Sequence, residues 1–427
     1  MSFYEINAQS LLSFFIFVLW HLSPKVLKRA KGVTLMANEI VVLGYSRTPF
    51  GSFMGALSSL SASKLGAAAI QGALGRAGVA PTAVNEVIMG NVLMAGQGQA
   101  PARQALIYAG LPESVPAMTI NKMCGSGMKA VMLAGQSLLL GDTAVAVAGG
   151  MESMTQAPYL LPGARAGLRM GNSPMLDSMI FDGLWDPYND KHMGTCGELC
   201  AREKGFSRKD QDEFAISSFE RAVKAQKEGK LKLEITPVTL KGRKGDTVVE
   251  HDEGPGKVNF EKIPTLKPVF DPAGSVTAAN ASTINDGAAA LVLSTPAKAA
   301  SLGAKPIARI VSWGTFAQKP EWFTTAPAPA MKIALDKAGW KVSDVDLFEV
   351  NEAFAVVSLA AKKELSIPAD RLNVWGGAIS LGHPIGASGA RIVGTLITAL
   401  RDQGKKRGCA GICIGGGEAT AICVEII

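Results

Sequence analysis

Thr119-Ile120-Asn121-Lys122-Met123-Cys124-Gly125-Ser126-Gly127-Met128-Lys129 joins a short extended run to a helix through one cysteine and two glycines. Over residues 128–140 the chain is apolar nearly all round, the pattern of a helix buried on every side. Cys124 is therefore expected at the N-terminus of a buried helix, where free N–H groups and the positive end of the macrodipole favour a thiolate and lower the thiol pKa. An inert buried cysteine is the other reading of this stretch taken alone.

The pattern returns near the C-terminus. Ser126-Gly127-Met128-Lys129 is echoed by Ser388-Gly389-Ala390-Arg391, each opening a long apolar helix. Gly149-Gly150, at the end of the apolar strand expected at 143–150, is echoed by Gly415-Gly416-Gly417 after the strand expected at 409–414. The helix and turn before Val87 resemble 331–344, which precede a strand at 347–350. Further strands at 39–44 and 86–91 and an Ala-rich helix at 62–78 complete an alternation that predicts an α/β fold of two related halves. The N-terminal half is expected to take 36–154 and 285–305, and the C-terminal half 306–427. Between them, Ser207 with Asp210 predicts the cap of a helix running to about Lys227, and 230–267 reads as a charged surface hairpin or loop. Residues 155–284 are read as a lid inserted into the first half.

Composition narrows the function classes. A chain of 427 residues with 48% apolar and 19% charged residues is long enough for two or three globular domains. The net charge of +7 could mean nucleic acid, but it comes from dispersed Lys and Arg with only 6% aromatic residues, and an anionic small substrate fits equally well. Six cysteines in so long a chain make no disulfide framework, and Cys196 and Cys200 match no zinc spacing, so reduced thiols, no metal and a cytoplasmic setting are expected. The glycines of 95–103 lack the third glycine of a dinucleotide fingerprint. Residues 1–35 stand apart: an apolar run at 11–22 is followed by Lys25, Lys28, Arg29 and Lys31. The run is too short to span a bilayer and lacks the layout of a secretory signal. It is read as an extension ahead of a functional start at Met36, with a membrane anchor as the alternative.

The chemistry-bearing residues follow. Gly376-Gly377-Ala378-Ile379-Ser380-Leu381-Gly382-His383-Pro384-Ile385-Gly386-Ala387-Ser388-Gly389 puts His383 in a glycine-dense turn ahead of a helix, as a turn residue or a catalytic base. Asn351 follows the strand at 347–350, where α/β proteins place functional loops; the plain alternative is a helix N-cap. Cys413 precedes Gly415-Gly416-Gly417, whose bare backbone lets N–H groups approach a developing oxyanion.

Taken together, NKMCGSG at 121–127, HMG at 192–194, NASTINDGAA at 280–289, NEAF at 351–354, GGAISLGHPIGASG at 376–389 and CIGGG at 413–417 resemble the thiolase family from about Asn38 to the C-terminus. The resemblance implies a five-layered αβαβα core, a loop domain that holds coenzyme A, and a homotetramer or homodimer. It implies reversible Claisen condensation of two acetyl-CoA to acetoacetyl-CoA and CoA, with coenzyme A as substrate and product and no further cofactor. In that scheme Cys124 carries the acyl group, His383 takes its proton, and Cys413 is the acid/base for the carbon acid. His383 with a water held by Asn351 would form one oxyanion site, and the N–H groups of Cys124 and Gly415 the other.

The same resemblance places Ser282 and Ala278 on the pantetheine arm and His192, Met193, Ala353 and Phe354 along its tunnel. Phe323 falls near the acyl pocket and Lys257 near the phosphate end, where relatives often have an arginine. Asn280-Ala281-Ser282 also spells a glycosylation sequon, dismissed for an intracellular chain. The HMG form favours a short acyl group, and Lys319-Pro320-Glu321-Trp322-Phe323 implies acceptance of a 2-methyl branch. Two positions depart from the pattern: Phe219 stands where potassium-binding relatives carry a tyrosine, and Glu418 follows the glycine triplet. The alternatives are a broader-chain 3-ketoacyl-CoA thiolase of β-oxidation and a non-catalytic lipid-binding relative. A decarboxylating condensing enzyme would need a second catalytic His or an Asn in place of Cys413, and only His383 of the four histidines sits in a suitable motif.

Overall fold

A computed structural model describes residues 39–427; the leader, with its apolar run, lies outside the described residues. Strand β1 (Ile40–Arg47) is buried along its whole length. Helix α1 (Ala62–Ala77) starts where the Ser61 side chain accepts the Lys64 N–H and stops at Gly78, which takes the left-handed conformation at φ 63°. Then come β2 (Glu86–Gly90), α2 (Pro101–Tyr108), β3 (Ala117–Ile120), α3 (Ser126–Leu140) and β4 (Val145–Ser153).

The chain leaves the sheet after Ser153 and rejoins it at Asn285. Between these points lie α4 (Met193–Lys204), α5 (Arg208–Lys227) and a small hairpin pairing Val238–Leu240 with Thr247–Val249. Ser207 and Asp210 form the capping box of α5. Strand β5 (Asn285–Ser294) closes the first half. The second half runs β6 (Ala308–Ala317), α6 (Pro327–Ala338), β7 (Leu347–Val350), α7 (Ala355–Leu365), α8 (Ile385–Asp402), β8 (Arg407–Ile414) and β9 (Glu418–Ile426).

The sheet order is β7-β8-β9-β6-β1-β5-β4-β2-β3. Its two parts have the same pattern: β2 is parallel to β4 and β7 to β8, while β4-β5-β1 and β8-β9-β6 are antiparallel runs. The internal repeat is thus a repeat of topology and of the Ser-Gly helix heads, but Gly149-Gly150, expected at a strand end, lies inside β4 opposite Ala290 and Ala289 and is not the counterpart of the turn at Gly415-Gly416-Gly417. The halves join where β1 meets β6 antiparallel, with Ile40 opposite Ile310. Helix α1 lies on β1, β4 and β5 and packs on α2; helix α6 lies on β6, β8 and β9 and packs on α7. Helices α3 and α8 touch each other and strands of both halves, which gives the layers αβαβα. Strands β4 and β5 are buried throughout, which explains their unbroken runs of small and apolar residues.

The central layer is tight because the heads of α3 and α8 meet at glycines. A Cβ added at Gly127 would stand 2.8 Å from the Ala390 amide nitrogen, and one at Gly389 would run into the backbone of Met128. This is why Ser-Gly opens both helices. The segment outside the sheet is held to the core by charge: buried Arg47 on β1 donates to Glu234 at 2.6 Å and grips Asp252 with two bonds of 2.6 and 2.8 Å. Gly127→Val should lower stability by about 3 kcal/mol through overpacking between two backbones. A chemical-denaturation midpoint unchanged from wild type would contradict the contact.

Candidate active site

Cys124 sits in a turn built by its neighbours. Ser126 Oγ accepts the Lys122 N–H at 2.8 Å and donates to the Met123 carbonyl at 2.6 Å, and the Gly125 and Ser126 N–H groups donate to the Lys122 and Met123 carbonyls. Met123 pays for this turn with a left-handed backbone at φ 45°. Gly125 lies against the Ile414 side chain, so no side chain fits there.

The expected lowering of the thiol pKa does not hold. Burial pushes the Cys124 thiol up to about 11, only partly offset by the N–H groups of Gly415 and of Cys124 itself, which point at the sulfur. Gly125 is the cap of α3 and Ser126 its first residue, so the cysteine stands before the helix and not in its first turn. Cys413, paired with Ala419 near the end of β8, is fully buried. Its thiol is held well above its ordinary value by burial and then by the nearby Cys124.

His383 comes from the other half. Its backbone N–H donates to Asn285 Oδ1 at 2.9 Å, and Asn285 Nδ2 donates to the Gly51 carbonyl at 2.9 Å. Gly382, just before it, has φ 116°, and a Cβ there would collide with Asn285. His383 Nδ1 lies 2.6 Å from Ser388 Oγ, and that hydroxyl donates to the Pro384 carbonyl at 3.0 Å. A hydroxyl has one proton, so Nδ1 must donate to it, which leaves Nε2 as the bare nitrogen. Asn351 Nδ2, 3.5 Å from Nε2, faces it as a donor. Burial, with the Arg391 charge adding, holds the imidazole down to about 3, so the ring is neutral around pH 7.

Asn351 is fully buried and is not a helix cap: α7 begins four residues later, with Phe354 as its cap. The Asn351 loop is laced to the 280–282 segment by Ser282 N–H to Ala353 carbonyl at 3.0 Å and Ala355 N–H to Asn280 carbonyl at 2.8 Å. Asn280 itself is buried, its amide donating to Asp212 at 2.9 Å, so the sequon offers no accessible acceptor.

A cavity of about 200 Å³ collects the parts. Cys124, His383 and Gly415 line it together with His192, Met193, Ser282, Phe323, Ala353 and Phe354. His192 caps α4 by accepting the Gly194 N–H at Nδ1, 3.0 Å away, which puts its own proton on Nε2. Its ring stacks on Phe270 at 4.7 Å, and Phe270 meets Phe354 edge-on at 6.2 Å.

Cys413, Asn351, Ala278 and Lys257 do not line this cavity. Ala278 is exposed, and Lys257 Nζ is engaged by Glu253 at 3.0 Å and Ser52 at 2.9 Å. Phe219 packs in an apolar cluster with Ile263, Ala279 and Ile379. Sequence reading missed Phe270, Ser388 and Asn285. Ser388 was legible, being within the quoted histidine motif; Phe270 stands alone in a loop and carries no local signal.

Family models for the thiolase N-terminal domain and the thiolase C-terminal domain match residues 40–297 and 304–426. The chain is 52% identical over 393 residues to acetyl-CoA acetyltransferase 2 of Arabidopsis thaliana, covering 91% of this chain and 98% of that protein. It is 51% identical to the acetyl-CoA acetyltransferase of Cupriavidus necator, covering 91% and 99%. The mitochondrial acetyl-CoA acetyltransferase of Danio rerio is 51% identical, covering 95% and 96%. A crystal structure of the Bacillus anthracis acetyl-CoA acetyltransferase superposes with a TM-score of 0.89 at 39% identity, over 92% of this chain and 99% of that one. With both family domains in order along one continuous fold, the chain belongs to the thiolase family.

Proposed function

We propose that the protein is an acetyl-CoA C-acetyltransferase, condensing two acetyl-CoA to acetoacetyl-CoA and CoA and running the reverse thiolysis. The observation that carries the reading is the meeting of Cys124, Gly415 and a neutral His383 at one cavity, with Nε2 of the imidazole unprotonated. The relatives named above, at about half identity over nearly their whole length, carry that activity in their names.

In the forward direction Cys124 passes its proton to His383 Nε2 as its sulfur attacks the thioester carbonyl. The oxyanion lies between the N–H groups of Cys124 and Gly415. Collapse expels the CoA thiolate, which takes the Cys413 proton and leaves acetyl-Cys124. The Cys413 thiolate then removes a methyl proton from the second acetyl-CoA. The enolate oxygen is held by the proton now on His383 Nε2 and by a water bound to Asn351, whose Oδ1 has no protein partner. Enolate carbon attacks the acetyl carbonyl, and the departing Cys124 sulfur recovers its proton from His383.

Ser282 and Ala278 would lie along the pantetheine arm, His192 and Met193 over the thioester, and Phe323, Ala353 and Phe354 around the acyl end. Lys257 would serve the phosphate end only by leaving Glu253. The working form is a homotetramer or homodimer in the cytoplasm, acting in fatty acid metabolism on acyl-CoA alone, without nucleic acid, membrane, metal or added cofactor. No helix among the described residues is long and apolar enough to cross a membrane.

Incubation with acetyl-CoA should add one acetyl group to the Cys124 peptide by mass spectrometry, and Cys124→Ser should abolish it. A protein with no adduct and no thiolysis is not this enzyme. The raised thiol pKa gives a sign for pH: below about 11 the thiolate fraction grows tenfold per pH unit. In His383→Ala, iodoacetamide labelling of Cys124 should therefore climb about tenfold per unit from pH 7 to 10; a plateau near neutrality would mean a lowered pKa. Phe323, buried at the cavity wall, leads us to expect thiolysis of 2-methylacetoacetyl-CoA as well as of acetoacetyl-CoA, and turnover of the unbranched substrate alone would refute it.

A further inference from the structure

The two N–H groups aimed at the Cys124 sulfur belong to different halves of the molecule. Cys124 lies on the turn before α3, and Gly415 lies in the glycine hairpin between β8 and β9. Their spacing is not set by any one element. In the glycine hairpin Gly416 and Gly417 take φ values of 92° and 89°, and among the described residues its one backbone tie outside the two strands is the Gln318 N–H donating to the Gly417 carbonyl at 2.9 Å. Its far end is Glu418, which pairs in register with Ile414 on one side and Ala317 on the other.

Glu418 also reaches across the halves and forms an ion pair with Lys122, the residue that opens the Cys124 turn. The partners are 25% and 33% exposed, so the pair is partly shielded from solvent. Lys122 is itself pinned into the turn, its N–H on Ser126 Oγ and its carbonyl accepting from Gly125. The ion pair therefore joins the first residue of β9 to the residue that opens the Cys124 turn.

We infer that Lys122 and Glu418 are a positioning pair that sets the gap between the Cys124 and Gly415 N–H donors. The inference rests on the reading of Cys124 as the acyl carrier. Neither side chain lines the cavity, so the pair acts through the two donors and touches no substrate.

Loss of one whole oxyanion donor costs about a hundredfold or more in kcat, and misplacement of a retained donor should cost less. Glu418→Gln, which keeps the shape and removes the charge, should lower kcat for thiolysis about tenfold with KM for CoA unchanged. Lys122→Glu should do the same or worse, and the exchanged pair Lys122→Glu with Glu418→Lys should recover most of the loss. Raising sodium chloride from about 0.1 to 1 M, which shortens the screening length from about 10 to 3 Å, should slow the wild type and leave Glu418→Gln unaffected.

A merely structural pair would shift the melting temperature of all variants and leave kcat in place. That result, or an exchanged pair no better than the single changes, overturns the inference. Wild-type enzyme without acetyl transfer to Cys124 would instead sink the function itself, so the two failures are told apart by the wild-type control.

Discussion

Helices α3 and α8 touch backbone to backbone at Gly127 and Gly389, and the rest of the site takes its positions from that contact. Cys124 stands just before the head of α3, and His383 just before the head of α8. A side chain at either glycine would part the two heads and with them Cys124 and His383. The same close approach explains the layering, because two helices this near can share one slot between the two parts of the sheet. Nine of the fifteen residues of α3 are buried there, but Gln136, Leu139 and Leu140 toward its far end are exposed, so the expected burial on every side holds at the head of the helix and fails at its tail. Fifteen of the eighteen residues of α8 are buried in the same slot.

That burial decides the electrostatics. A helix end near a sulfur favours the thiolate by a modest amount, whereas removal of water from a thiol works against it more strongly. At Cys124 desolvation wins, and the two backbone N–H groups recover only part of the loss. His383 is moved in the complementary direction by the same cause. The pair at rest is therefore neutral thiol and neutral imidazole, and charge appears only when the proton crosses. Donors aimed at the sulfur and its surroundings are then worth most at the moment of reaction, which is the condition for differential stabilisation of a transition state.

The alternation of strands and helices, the doubled Ser-Gly heads and the capping box at Ser207 were legible because each is a local pattern with a local cause. The meeting of Cys124 and His383 followed from the repeat combined with the family resemblance. What escaped depends on distance in sequence. The pKa of Cys124 needs the depth of its surroundings, which no window of residues reports. Asn285 bonds to His383 across 98 positions, and Phe270 finds His192 only after the loop segment has folded over the cavity. Asn351, which alone reads equally well as a helix cap, is distinguished from one only by α7 starting at Ala355.

Two buried carboxyl groups brace the loops beside the reaction centre. Glu152 accepts from Val92, Leu93 and Gly386 N–H groups and from Asn91, tying the loop after β2 to the head of α8. Glu352, adjacent to Asn351, accepts from Ser218 on α5, Asn373 and the Ile379 N–H. Burial raises the pKa of both carboxyls, Glu152 to about 7, and the donors oppose it. An isolated buried carboxylate would be costly, but one bonded to several segments of chain holds them in a single arrangement. Glu152 still acts on Cys124, its charge adding to the burial that raises the thiol, while its lone pairs and those of Glu352 are taken by backbone and side-chain donors. The loops that carry the chemistry are thereby made rigid by ionic groups while the cavity itself stays apolar, where a weak carbon acid and a thioester gain most from a few well-placed N–H groups.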